Sequence, residues 1–137
     1  MPTPTCHLSV VIPLYNEQES LSELLQQLEQ ALHHPTLQAL FAEPLEYEII
    51  MVDDGSTDGS ASTIRRLATK HSNVRLISFQ RNFGKTAALS AGFATASGEL
   101  VCTLDADLQD DPSAIAALIT KLHEGYDLVS GWKQQRR

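Results

Sequence analysis

Basic residues are scarce in this chain. Ten lysines and arginines stand against 17 aspartates and glutamates in 137 residues, a formal net charge of -7. A nucleic-acid partner needs a basic face, so none is expected. Phosphate ligands stay open, because local groups and a metal can reverse the field inside one cleft. Cysteine is scarcer still. Cys6 and Cys102 are too few for a disulfide framework, which points to a reducing cytoplasm. Long apolar runs are missing as well. Leu8–Leu14 and Ile49–Val52 fall far short of the roughly 20 residues that cross a bilayer. Met1–His7 has neither the basic start nor the apolar stretch of a signal peptide. Nothing in the chain is expected to span a membrane, although its substrate can still be membrane-borne.

What is present suits one domain. Hydrophobic residues make up 42% and charged residues 20%, the balance of a soluble globular unit with a real core. Residues 1–137 are therefore read as a single domain. Short apolar runs alternate with helical periodicity, the pattern of a βαβ series with a mainly parallel sheet. Strands are expected at Leu8–Ile12, Tyr47–Val52, Val74–Phe79, Glu99–Leu104 and Tyr126–Ser130. Helices are expected over Glu17–His33, Thr57–Lys70 and Lys85–Ala96, and again from Pro112. His34–Glu46 has two prolines and no clean period, so it reads as an irregular surface connection with a short helical turn. Cys102 falls in a strand and reads as a small hydrophobe.

Three polar clusters follow strands: Tyr15-Asn16-Glu17, Asp53-Asp54-Gly55-Ser56 and Asp105-Ala106-Asp107. Open parallel sheets bind ligands beyond the carboxyl ends of their strands, so the clusters are expected to converge on one cleft. Asp105 and Asp107 are two positions apart and can project to one side of an extended segment. Two carboxylates held together repel unless a cation lies between them. Mg²⁺ or Mn²⁺ suits such oxygen ligands, and Gln109 offers a further neutral one. A solvated acidic loop, with Asp110 or Asp111 capping the next helix, accounts for the tripeptide as well.

Gly55, Asp58 and Gly59 read as turn formers, with Asp58 or Ser60 capping the next helix. Asp53 and Asp54 gain nothing from a turn on this reading and are candidates for a nucleobase imide or ribose hydroxyls. Tyr15 can stack on a base or pack under the following helix, which Asn16 or Glu17 would cap. Arg81 and Lys85 stand at the start of a helix, where either can face a diphosphate or a substrate phosphate, or the two form an exposed surface pair. Neither a dinucleotide-binding Gly-x-Gly-x-x-Gly nor a P-loop ending is present. Ser56 and Ser60 lack a matching histidine, so a nucleophilic hydrolase is disfavoured.

Taken in order, Ser9–Glu17, Val52–Gly59, Arg81–Gly84 and Asp105–Gln109 resemble a family 2 glycosyltransferase. The Asp-Ala-Asp-Leu-Gln form is most similar to the dolichyl-phosphate mannose synthase and bacterial polyprenyl-phosphate branch. The resemblance implies a GT-A (Rossmann-like) three-layer α/β sandwich, of which this chain is the N-terminal nucleotide-binding part. It implies inverting, metal-dependent transfer of a hexose from a UDP- or GDP-sugar to a polyprenyl phosphate at the membrane surface. By matching positions, Pro13, Tyr15, Glu17 and Asp54 would contact the nucleoside with support from Asp53. Asp105, Ala106 and Asp107 would belong to the nucleotide-sugar site, and Asp105, Asp107 and Gln109 would hold Mg²⁺ or Mn²⁺ on the diphosphate. Asp105 and Asp107 are thereby the expected catalytic pair. An already ionised acceptor phosphate needs no general base, and none is evident. The resemblance also implies a cytoplasmic protein, peripheral at the inner face of the membrane.

Two departures stand out. Asp111 occupies a position where relatives often have proline. Family members usually continue into a second half that binds the acceptor, whereas this sequence ends at the basic Gly131–Arg137, so a truncated product is expected. A nucleotide-sugar-binding module without transferase activity, and a transferase acting on a soluble saccharide, remain alternatives. Self-association is left open.

Overall fold

The structure is a computed structural model that describes residues 6–106 together with residues 115, 117 and 119. Its elements run β1 (Cys6–Leu14), α1 (Leu21–Leu32), α2 (Pro35–Gln38), β2 (Tyr47–Asp53), α3 (Ser60–Lys70), β3 (Val74–Ser78), α4 (Lys85–Thr95) and β4 (Gly98–Thr103). The strands form one parallel sheet in the order β3-β2-β1-β4. The expected α/β class with a parallel sheet is therefore present. The expected fifth strand, the basic end of the chain, Asp107 and Gln109 lie outside the described residues.

Side-chain alternation explains the layers. Leu8, Val10, Ile12 and Leu14 of β1 join Ile49 and Met51 of β2 on one face, as residues two apart must. The leucine stripe of α1 (Leu21, Leu24, Leu25, Leu28 and Leu32) and Ile64 of α3 close over them. Val11, Ile50 and Val52 point to the other face and meet Ala88 of α4. Helices thus cover both faces, as near-continuous apolar strands require. Helix α4 comes close because its residues are small, and a Cβ at Gly92 would strike Val11. Ile115 and Ile119 are helical and buried in the larger core. No helix among the described residues is long and apolar enough to cross a membrane.

Two polar residues, Ser9 and Glu48, sit within the apolar run of the central strands. Glu48 lies near the start of β2 and is only 7% exposed. Its carboxylate accepts from Ser9 Oγ at 2.6 Å, Ser97 N at 2.6 Å, Ser97 Oγ at 2.9 Å and Arg75 Nη1 at 2.8 Å. Ser9 Oγ in turn accepts from Gly98 N at 2.8 Å. A crossbar of hydrogen bonds thus ties all four strands at their amino ends, opposite the edge where the polar clusters gather.

Both longer helices before β3 start later than their periodicity suggests. The sequence places Glu17–Ser20 in the first helix and Thr57–Gly59 in the next, yet α1 begins at Leu21 and α3 at Ser60. The intervening residues bond to each other across the two loops. Cys102 behaves as expected: burial pushes its thiol up to about 12, so it stays protonated and inert.

Candidate functional site

The sheet order places a topological switch between β1 and β4, because the chain runs outward to β3 and then returns over the sheet through α4. Ligands of open parallel sheets bind outside the strands at such a point. A cavity of about 240 Å³ lies there. Pro13, Leu14, Tyr15 and Glu17 line it from the end of β1, and Asp54 from the end of β2. Lys85 and Ala88 come from α4, and Asp105 and Ala106 follow β4. Seven residues expected at the site from sequence, Pro13, Tyr15, Glu17, Asp54, Lys85, Asp105 and Ala106, thus meet in one cleft. Tyr15 is 44% exposed: it faces the opening and does not pack beneath α1.

Two loops are clasped to form this wall. Asn16 has φ 54, a left-handed conformation that asparagine tolerates better than most residues. Its Oδ1 accepts from Thr57 N at 2.8 Å and Asp58 N at 3.2 Å, while its own N–H donates to Ser56 Oγ at 2.8 Å. Glu17 N donates to Ser60 Oγ, and Gly59 N to Gln18 Oε1. The sequence assigns Asn16 or Glu17 to capping the helix that follows them. The structure gives Asn16 to the other loop instead, and the N-cap of α1 is Ser20. Asn16 thereby sets the positions of Tyr15 and Glu17 on either side of it. Asn16→Gly keeps the backbone conformation available and deletes the clasp. We expect faster amide hydrogen exchange at Thr57 and Asp58 and a loss of about 1–2 kcal/mol in denaturant melts. Unchanged exchange would show that the clasp holds nothing.

Asp53 and Asp54 correct the sequence reading, in which a turn offered them nothing. Asp53 Oδ1 accepts from Ser56 N at 2.9 Å, closing the turn. Asp54 is 5% exposed and reaches across to the start of α4. Its oxygens accept from Phe83 N at 2.8 Å, Gly84 N at 3.0 Å and Asn82 Nδ2 at 3.2 Å. Amides at a helix start attract an anion, and here that anion is the chain's own carboxylate. Asp53 does not line the cavity. Asn82 escaped the sequence reading, which weighed only the basic members of Arg81–Lys85. Its partner lies 28 residues away, beyond any local signal.

The basic pair separates. Arg81 lies over the Phe83 ring, 4.7 Å from its centroid, and is not among the cavity-lining residues. Lys85 Nζ lies 3.0 Å from Asp105 Oδ1. The Asp105 side chain is 18% exposed and that of Lys85 57%. The lysine thus balances the Asp105 charge at the switch point, and the carboxylate itself is a hard oxygen donor of the type divalent ions take. Among the described residues no three His, Cys, Asp or Glu side chains form a metal-holding group.

A doubly wound sheet with a polar cleft at its switch point defines a Rossmann-like α/β binding domain. Residues 9–137 match the Glycosyl transferase family 2 domain, and the chain belongs to that family. It is similar to the mannosyltransferase PcManGT from Pyrobaculum calidifontis, solved in complex with GDP-Man and Mn²⁺. The two are 30% identical over 89% of this chain and 34% of that one, with a TM-score of 0.67. Residues 1–349 of S. aureus TarS are 27% identical over 85% of this chain and 33% of theirs, with a TM-score of 0.62. Glucosyl-3-phosphoglycerate synthase from Mycobacterium tuberculosis, at 24% identity and a TM-score of 0.59, covers 88% of this chain and 41% of its own; it bears on the fold alone. The chain spans about a third of the length of the first two. These neighbours place the sheet in the GT-A class expected from the sequence.

Proposed function

We propose that this chain forms the donor side of an inverting glycosyltransferase, binding a UDP- or GDP-sugar with Mg²⁺ or Mn²⁺ and passing its hexose to a polyprenyl phosphate at a membrane surface. The observation that carries the reading is the convergence of Tyr15, Glu17, Asp54 and Asp105 on one cleft at the switch point. PcManGT, solved with GDP-Man and Mn²⁺, supports the nucleotide sugar and the metal. Tyr15 offers a face for the base, and Glu17 lies beside it for the ribose hydroxyls. Asp54 acts through the loop it anchors rather than as a free acceptor. Asp105, with Asp107 and Gln109, would hold the divalent ion. When bound, that ion would neutralise the nucleotide diphosphate as it leaves. An acceptor phosphate is ionised at neutral pH, so the chain's residues need to position it and exclude water without removing a proton.

Titration of GDP- and UDP-sugars followed calorimetrically with and without Mn²⁺ tests the donor reading. Binding should require the metal and weaken at least about tenfold in Asp107→Ala, as loss of a direct ligand should cost no less than loss of its supporting shell. Metal-independent binding that survives the substitution would remove the clamp. Adding polyprenyl phosphate or a soluble saccharide to the loaded protein then identifies the acceptor class.

A further inference from the structure

We propose that Lys85 is the resident counter-ion of Asp105, displaced by the incoming divalent metal and passed to the donor diphosphate, so that one lysine couples metal binding to donor binding. This rests on the reading of Asp105 as a metal ligand and adds a role for a residue outside the ligand set. The pair is close, with Nζ 3.0 Å from Oδ1, and both residues line the same cavity. It is also weak. The Lys85 side chain is 57% exposed, and exposed ion pairs contribute little to stability. It therefore quiets the carboxylate without locking it.

The two ends of Lys85 differ in freedom. Its root is fixed, because the preceding amides of Phe83 and Gly84 are held by Asp54. Its ammonium rides on a flexible four-carbon stem. A divalent ion bound to Asp105 would repel a cation 3.0 Å away from that carboxylate and drive the ammonium off. A diphosphate in the cleft offers it the nearest new anion. Metal alone must displace the ammonium with nothing to receive it, whereas metal and diphosphate together give both cations partners. Linkage then requires each ligand to raise the affinity of the other.

Mn²⁺ titrations read by electron paramagnetic resonance on the whole chain test this, first without nucleotide and then with GDP or UDP. Lys85→Gln should bind Mn²⁺ about two- to fivefold more tightly than the parent when nucleotide is absent. The factor by which nucleotide improves Mn²⁺ affinity should shrink in the same variant. Lys85→Arg, which keeps the charge, should restore the parent's nucleotide-free affinity. Unchanged or weaker Mn²⁺ binding in Lys85→Gln overturns the exchange. Asp105→Asn separates the two levels. If it abolishes Mn²⁺ binding while Lys85→Gln has no effect, the exchange alone is wrong. If Mn²⁺ binds equally well in Asp105→Asn, the metal reading falls and the exchange falls with it.

Discussion

Gly55→Ala is expected to cost about 3 kcal/mol or more and to lower the melting temperature by roughly 10 °C or beyond. Two effects add. Gly55 has φ 75, where a residue with a Cβ pays about 1–2 kcal/mol. A Cβ there would also run into the backbone of Arg81 and Asn82, which cannot swing away as a side chain can. Displacing that backbone pulls on Phe83 and Gly84, whose amides bond to Asp54. Cleft geometry should therefore suffer along with stability. Gly55→Asn discriminates between the causes. If positive φ were the whole cost, asparagine would recover most of it; because it too carries a Cβ, it should fail nearly as badly. Thermal melts of the two variants settle the matter, and near-parental stability of Gly55→Asn would refute the steric account.

The second large effect belongs to Glu48. Glu48→Ala should destabilise by about 3–5 kcal/mol, because it strands buried donors together with a half-exposed guanidinium. Burial alone would raise the Glu48 pKa, but the hydrogen bonds from Ser9, Ser97 and Arg75 outweigh it and hold the group below its ordinary value of 4.5. A depressed folded-state pKa contributes stability above the unfolded pKa, and that contribution disappears as pH falls through the folded value. Glu48→Gln removes the titration while keeping one acceptor. Its stability should start lower at neutral pH and decline less between about pH 5 and pH 3. Urea melts at a series of pH values would show this. An unchanged acid slope would mean that Glu48 does not supply it.

Much of the fold was legible because parallel strands buried on both faces must be apolar throughout. Val10–Ile12 and Ile49–Val52 could hardly be anything else, and the leucine stripe of α1 has one period. The convergence of three loops on one edge followed from the parallel topology. What stayed hidden was the division of labour among polar groups. Asp54 and Asp105 look alike in sequence, yet one is spent on the start of α4 and the other faces Lys85. Asn16 and Thr57 are 41 residues apart, and nothing local says that they bond. Helix starts were misplaced for the same reason: residues with helical spacing were already committed to a clasp between loops. Glu48 drew no notice, since a single acidic residue in a strand carries no signal until Ser9, Arg75 and Ser97 are brought around it.

The position of β1 has a consequence for synthesis on the ribosome. Its first neighbour, β2, and then β3 follow promptly, but the other flank waits for β4. Ser9 and Gly98, which bond in the finished sheet, are 89 residues apart. During that interval a strand of nearly uniform apolar character keeps one bare edge, the kind that invites pairing with a foreign strand. Closure of β4 beside it is the late, long-range event that should limit the folding rate. A nascent chain stalled before Gly98 would be the species most in need of a chaperone.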